Sequence, residues 1–196
     1  MNLNKNFLQK TFGKNLAINE NLSKYNWFNL GGPAELFFRP ENKNQLKSFL
    51  TEIKKYDLKI NVLGAGSNVL IRDSGIKGVV IKLGSKFSEI QLLKKDTIQV
   101  GAAMLDRKVS DFAKNSGISG MEFLACIPGS IGGAITMNSG CYGEDISKIL
   151  LSIKIIDFTG QEREIKKNEI KFSYRETDLP KNYIILSAVL KGTISS

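Results

Sequence analysis

The sequence predicts an α+β protein, and three observations predict it. Short apolar runs of strand character outnumber the segments with helical periodicity. The two kinds are mixed along the chain and fall into no internal repeat. Two glycine-rich segments, Gly64-Ala65-Gly66-Ser67-Asn68 and Ile127-Pro128-Gly129-Ser130-Ile131-Gly132-Gly133-Ala134-Ile135-Thr136-Met137-Asn138-Ser139-Gly140, cannot be ordinary helix or strand along their whole length.

Residues 1–24 are polar and read as a short helix and a connector. Trp27-Phe28-Asn29-Leu30-Gly31-Gly32-Pro33 is a turn with an aromatic anchor. Residues 34–39 read as a strand that stops at Pro40. Residues 42–56 read as an amphipathic helix, because Leu46, Phe49, Leu50 and Ile53 recur at helical spacing. Residues 59–63 form a short strand that runs into the first glycine segment. Val69-Leu70-Ile71 and Val79-Val80-Ile81 read as short strands about a turn at Gly75 to Gly78, and residues 88–101 as two strands around Lys94-Lys95-Asp96. Residues 105–116 are a helix stopped by Gly117. After the long glycine segment, residues 149–158 read as a strand, Thr159-Gly160-Gln161 as a turn and residues 162–166 as its partner. Residues 183–191 are the last strand.

The 196 residues suffice for one domain or two small subdomains, with a hydrophobic fraction of 42% and a charged fraction of 24%. No apolar run approaches the roughly 20 residues of a membrane span. The polar start, Met1-Asn2-Leu3-Asn4-Lys5-Asn6, lacks the apolar stretch of a secretory signal, so the expected location is the cytoplasm, without a membrane partner. The formal net charge is +9. The lysines are scattered and no stacking-aromatic motif accompanies them, which argues against a nucleic-acid partner. Either the charge attracts anionic substrates and cofactors, or it belongs to a lysine-rich surface with no partner. Two cysteines, Cys126 and Cys141, and no histidine make a poor metal site, and none is expected. The absence of histidine also removes Ser-His-Asp and Cys-His catalysis. Chemistry must then come from other side chains or from a cofactor.

Both glycine segments suit a large phosphate-bearing ligand. Glycine amides can converge on an anion with no Cβ in the way, and Ser67, Asn68 and Ser130 can add side-chain hydrogen bonds. A helical turn at residues 130–135 would add the positive end of its dipole, and Pro128 would rigidify the entry. The first segment fails the dinucleotide fingerprint, which needs a third glycine or alanine and a helix where Val69 and strand-like residues stand. Neither segment carries the Gly-Lys-Ser/Thr of a P-loop.

At these residues the chain resembles the UDP-N-acetylenolpyruvoylglucosamine reductase family, also called UDP-N-acetylmuramate dehydrogenases. The matching segments occur in family order. They are Trp27-Phe28-Asn29-Leu30-Gly31-Gly32-Pro33-Ala34, then Leu63-Gly64-Ala65-Gly66-Ser67-Asn68-Val69-Leu70, then Gly120-Met121-Glu122-Phe123. Ile127-Pro128-Gly129-Ser130-Ile131-Gly132-Gly133-Ala134, Met137-Asn138-Ser139-Gly140-Cys141-Tyr142-Gly143 and Phe172-Ser173-Tyr174-Arg175 follow.

The resemblance implies an FAD-binding fold of the vanillyl-alcohol-oxidase (PCMH) type, in two α+β subdomains with non-covalent FAD between them. Residues 25–84 would be the first subdomain and residues 85–196 the second, after the N-terminal helix and connector of residues 1–24. It implies cofactor contacts at Gly64, Ala65, Gly66, Ser67, Asn68, Pro128, Gly129, Ser130, Gly132, Gly133, Asn138 and Gly140. It also implies NADPH as electron donor and the enolpyruvyl ether of UDP-N-acetylglucosamine as substrate, reduced in peptidoglycan synthesis by a protein expected to be monomeric. Arg175 matches the family's catalytic arginine, and Thr177 stands where the family commonly has serine. A guanidinium suits an oxygen that gains charge in the transition state; on the residues alone, Arg175 also reads as a surface ion pair with Glu176 or Asp178. The family's proton-donating serine and its glutamate lie in a third, C-terminal domain that this sequence is expected to lack; Ser195 and Ser196 belong to no motif. Two other readings stay open: a flavin-binding module without turnover, and a different oxidoreductase of the same fold. Gly66→Val and Gly132→Val are each expected to abolish FAD retention, because a Cβ would fill the space of the phosphate.

Overall fold

Asparagines start the first two helices of the computed structural model, which describes residues 3–194. Asn4 caps α1 (Lys5–Phe12) by accepting from the Phe7 amide at 3.0 Å, and Asn42 caps α2 (Lys43–Ile53) by accepting from Gln45 at 3.0 Å. Met1, Asn2, Ser195 and Ser196 lie outside the described residues.

The chain divides into two units. The described residues up to Gly84, with Asp157–Gln161, form the first. Its sheet has strands β1 (Leu16–Asn21), β2 (Pro33–Phe38), β3 (Ile60–Val62) and β4 (Ile76–Ile81), in the order β1-β2-β4-β3. β1 runs antiparallel to β2, while β4 is parallel to both β2 and β3. Successive side chains of β2 serve opposite faces. Phe38 stacks on Phe49 of α2, with ring centroids 3.8 Å apart, and Phe12 meets both rings edge-on at 5.6 and 5.1 Å. Phe37 packs into a second cluster with Leu22, Ala34, Leu63, Ile71 and Val80.

Ser85–Ile156 and the described residues from Glu162 onward form the second unit. In chain order it holds β5 (Ile90–Lys94), β6 (Thr97–Gly101), α3 (Asp106–Asn115), β7 (Ile118–Ser119), a 3-10 turn at Glu122–Cys126 and α4 (Ile131–Thr136). Then follow β8 (Gly140–Cys141), β9 (Glu144–Asp145), α5 (Ile146–Ile149), β10 (Leu150–Asp157), β11 (Glu162–Lys166), β12 (Phe172–Ser173), β13 (Glu176–Thr177), β14 (Tyr183–Lys191) and β15 (Thr193–Ile194). Five strands make one sheet, in the order β11-β10-β14-β6-β5. α4 packs against β14 and β6, burying Ile131, Ala134 and Ile135.

The architecture is the α+β one the pattern predicts, with two local differences in the first unit. Residues 16–21, read as connector, form β1: it is an edge strand, only Leu16 of it is buried, and Asn19 at φ +54° interrupts its alternation. Val69-Leu70-Ile71 is loop and not strand. Ile71 fills the core, while the neighbouring Arg72 carbonyl is taken by the Gly32 and Gly75 amides at 2.9 Å each. In the second unit the long glycine segment contains α4, a helix of six residues, where the sequence allows a helical turn at residues 130–135. Among the described residues, no helix is long and apolar enough to cross a membrane.

Phe49→Ala removes the stacked partner of Phe38. It is expected to cost about 3–5 kcal/mol, read as a lower midpoint in chemical unfolding; a midpoint shift under about 1 kcal/mol would show that this stack does not organise the first unit.

Candidate functional site

In the first unit, residues 64–68 leave β3 with Leu63 buried behind them. The Lys82 ammonium donates to the Gly64 carbonyl oxygen. Burial, then the nearby Arg39 guanidinium, holds the Lys82 pKa below the usual lysine value. The Lys82 cation thus stands at the exposed Gly64, and the Arg39 guanidinium stands close enough to Lys82 to act on it. Sequence reasoning missed both, because a basic residue at the end of a strand carries no local signal.

Gly66 has φ +76°, and its carbonyl accepts from the Trp27 amide at 3.0 Å. A Cβ there would stand 2.1 Å from the Tyr25 carbonyl oxygen. Glycine at 66 is therefore required by its own backbone neighbours, a reason different from the phosphate contact expected above. Beside it, Asn26 is 5% exposed. Its Nδ2 donates to the Leu22 and Leu30 carbonyls at 2.8 Å each, and its Oδ1 is buried without a hydrogen-bond partner. Ala65 and Ser67 are half-buried and Asn68 is exposed.

In the second unit, the glycine segment is zipped to residues 102–106. The Gly132 amide donates to Ala102 O at 2.9 Å, Ile131 to Met104 O at 3.0 Å, and Asp106 in return to Gly129 O at 3.2 Å. Leu105 and Ser130 form a bridge between them. A Cβ on Gly132 would meet Ala102 at 3.2 Å, and one on Gly129 would meet Asp106 Oδ2 at 2.5 Å. These two glycines allow close packing within the protein. Gly133 differs: it is exposed, and a Cβ there would have only Ser130 Oγ nearby, at 3.7 Å. Ser130 is 4% exposed and makes no side-chain bond to the α4 terminus. Pro128 is exposed. Gly140 pairs in the β8–β9 hairpin, where a Cβ would meet Glu144 O at 2.2 Å.

Asp106, the first residue of α3, is 1% exposed, and neither carboxyl oxygen has a hydrogen-bond partner. Burial pushes its pKa from the usual 3.8 up to about 7. An aspartate opening a helix signals only a helix start, so the sequence gives no hint of this burial.

Asn138 is 7% exposed at φ +40°. Its Nδ2 donates to the Ser173 carbonyl at 3.0 Å, and its Oδ1 accepts from the Ser147 amide at 3.3 Å. Thr177 Oγ1 donates to the Thr136 carbonyl at 3.1 Å. The β12–β13 hairpin is thereby tied to the end of α4, with Tyr174 and Arg175 at its tip. Arg175 has φ +59°, is exposed, and lies over the Tyr174 ring at 5.5 Å. It forms no ion pair with Glu176 or Asp178 among the described residues; Asp178 instead accepts from the Lys171 amide at 2.8 Å.

With this geometry, the class is defined: the chain belongs to the FAD-binding domain family, whose pattern it matches over residues 34–166. The fold is the α+β FAD-binding fold of the vanillyl-alcohol-oxidase (PCMH) type. Within it, the chain is similar to proteins named UDP-N-acetylenolpyruvoylglucosamine reductase. The one from Pelagibacter ubique is 51% identical over 172 residues, covering 88% of this chain and 57% of that protein. The one from Rickettsia massiliae is 48% identical, covering 87% of this chain and 57% of that protein. The chain thus spans little more than half the length of these relatives. The crystal structure of the Thermus caldophilus reductase is 29% identical with a TM-score of 0.78, covering 92% of this chain and 62% of that one. An alkyldihydroxyacetonephosphate synthase shares the fold alone, at 13% identity and a TM-score of 0.68, over 98% of this chain and 41% of that one.

Asp106 holds its proton in the fold up to about pH 7, whereas the unfolded chain releases it near 3.8. The folded protein therefore binds the extra proton between those values, and its stability falls as pH rises through that window. Asp106→Asn removes the titration. The variant should gain on the parent between pH 4 and pH 8 by up to about 4 kcal/mol of unfolding free energy. Parallel stability–pH curves for the two would show that Asp106 is ionised in the fold.

Proposed function

We propose that the chain is the FAD-binding portion of a UDP-N-acetylenolpyruvoylglucosamine reductase. The observation that carries the proposal is the 51% identity to the Pelagibacter ubique reductase across 88% of the chain. FAD, bound non-covalently, would supply the two-electron chemistry that links NADPH to the enolpyruvyl sugar nucleotide.

Several features of this chain suit the cofactor. Lys82 at Gly64, with Arg39 near it, offers positive charge to a diphosphate. The unpartnered Asn26 Oδ1 next to Gly66 is an acceptor in want of a donor, and FAD carries hydroxyl and amine donors. The open face of Gly133 leaves room for close approach. Gly64, Ala65, Ser67, Asn68, Pro128 and Ser130 flank these features and belong to the same proposed contact set. Gly66, Gly129, Gly132 and Gly140 contribute by letting their segments pack closely. Arg175, exposed at a hairpin tip, would set a fixed positive charge against the oxygen that becomes negative as the enolpyruvyl group is reduced. The proposal includes a monomeric, cytoplasmic protein that takes electrons from NADPH.

The purified chain should show a flavin absorption band, and heat should release FAD; a folded, colourless protein that takes up no added FAD would refute the cofactor assignment. Gly133→Val is expected to weaken FAD binding at least about tenfold by filling the open face, while leaving the melting temperature nearly unchanged, since glycine is already a poor helix residue. Lys82→Gln should also weaken binding and flatten its salt dependence. Unchanged affinity in both variants would move the diphosphate elsewhere.

A further inference from the structure

We infer that Asn138 is a positioning residue for Arg175: its side-chain amide, together with the Thr177 hydroxyl, fastens the hairpin of residues 172–177 and fixes where the guanidinium stands. The inference rests on the reading of Arg175 as the charge that faces the reacting group. Asn138 belongs to the expected cofactor contacts, yet both ends of its amide are engaged with the protein, at Ser173 O and the Ser147 amide.

The geometry supplies two anchors on opposite strands. Asn138 grips β12 at Ser173, and Thr177 grips Thr136 from β13. Strands of two residues each, paired only at Phe172↔Thr177 and Ser173↔Glu176, do not hold their own shape in water. The tip residue Arg175 adopts φ +59°, which an arginine keeps only where its surroundings impose it. Asn138 itself sits at φ +40°, a conformation that asparagine tolerates better than most side chains. Replacing Asn138 by aspartate would put an acceptor against the Ser173 carbonyl while leaving the acceptor for Ser147. That substitution breaks the hairpin anchor but also adds a negative charge that raises the Cys141 pKa by itself, so it is read beside Thr177→Val, which breaks the other anchor and adds no charge.

Cys141 reports on the position of Arg175. Burial and the neighbouring Cys126 push the Cys141 thiol pKa up, and the Arg175 charge opposes them. If the hairpin is released, that opposing field is lost and the thiolate becomes scarcer at a given pH.

The experiment uses the whole chain carrying Cys126→Ser, so that Cys141 is the sole thiol. Its alkylation by iodoacetamide is followed from pH 7 to pH 10. Arg175→Gln sets the profile expected without the guanidinium. Asn138→Asp and Thr177→Val should each move the profile toward higher pH, in the direction of the Arg175→Gln profile, and slow alkylation at pH 8. Adding Arg175→Gln to Asn138→Asp should then cause little further change. Thr177→Ser, which keeps the hydroxyl, should restore the parent profile. Thr177→Val lies at a half-exposed position, so it reads the anchor even if Asn138→Asp unfolds. An Asn138→Asp profile that stays with the parent while Arg175→Gln moves it would overturn the positioning role. An Arg175→Gln profile identical to the parent would overturn the fixed guanidinium. FAD affinity is measured in the same variants. Loss of FAD with an unmoved Cys141 profile would make Asn138 a ligand contact, whereas a parent that binds no FAD would sink the cofactor reading and leave the alkylation result standing.

Discussion

The second unit depends on one constraint: the close backbone approach between residues 102–106 and residues 129–132. Three hydrogen bonds, Gly132 to Ala102, Ile131 to Met104 and Asp106 to Gly129, join a segment leaving the sheet to a segment entering a helix. Buried backbone groups must be paired, and here neither strand nor helix supplies the partners. The pairing sets the start of α4, and with it the depth at which Ile131, Ala134 and Ile135 enter the core. It also leaves little room for a Cβ at two of the residues. At Gly129 the obstacle is the Asp106 carboxyl, and at Gly132 it is Ala102. The end of α4 in turn carries the hairpin with Arg175, through Asn138 and Thr177.

This arrangement explains why a glycine-rich segment conserves space for two purposes at once. Gly129 and Gly132 spend their missing side chains inward, on packing. Gly133 alone of the three turns an open side outward. The first unit solves the same problem differently. Gly66 yields room to the Tyr25 carbonyl, while the carbonyl of Gly64 is held by a lysine side chain. In both units the glycine whose missing Cβ lets the loop pack and the exposed glycine are different residues.

Much of the fold was legible in the sequence, for identifiable reasons. Helices α2 and α3 show apolar residues at helical spacing, and the β5–β6 and β10–β11 hairpins show turn residues between strand-like runs. β1 was not legible, because an edge strand that buries only Leu16 has no apolar alternation to read. Residues 69–71 misled in the opposite sense. Their β-branched, apolar character reflects the burial of Ile71 in the core cluster, while the backbone is claimed by the turn around Gly32 and Gly75. The candidate site divides along the same line. Segments 64–68 and 127–140 stand out by composition, whereas the surroundings of Lys82, Arg39, Asn26 and Asp106 are set only by tertiary neighbours.

The buried Asp106 shows how far such neighbours can reverse a local rule. An aspartate in the first turn of a helix ordinarily stays ionised, since the helix dipole favours negative charge there. At 1% exposure, with no donor to either oxygen, desolvation outweighs that preference and the proton is retained near neutrality. A smaller side chain at 106 would leave a void against Gly129, and a larger residue at 129 would collide with the carboxyl. The two positions are thus coupled by shape, even though the only hydrogen bond between them runs from one backbone to the other. The acid is tolerated because the segment it packs against is fixed by backbone bonds on both sides, so that its desolvation cost falls on the stability of the unit and leaves the path of the loop unchanged.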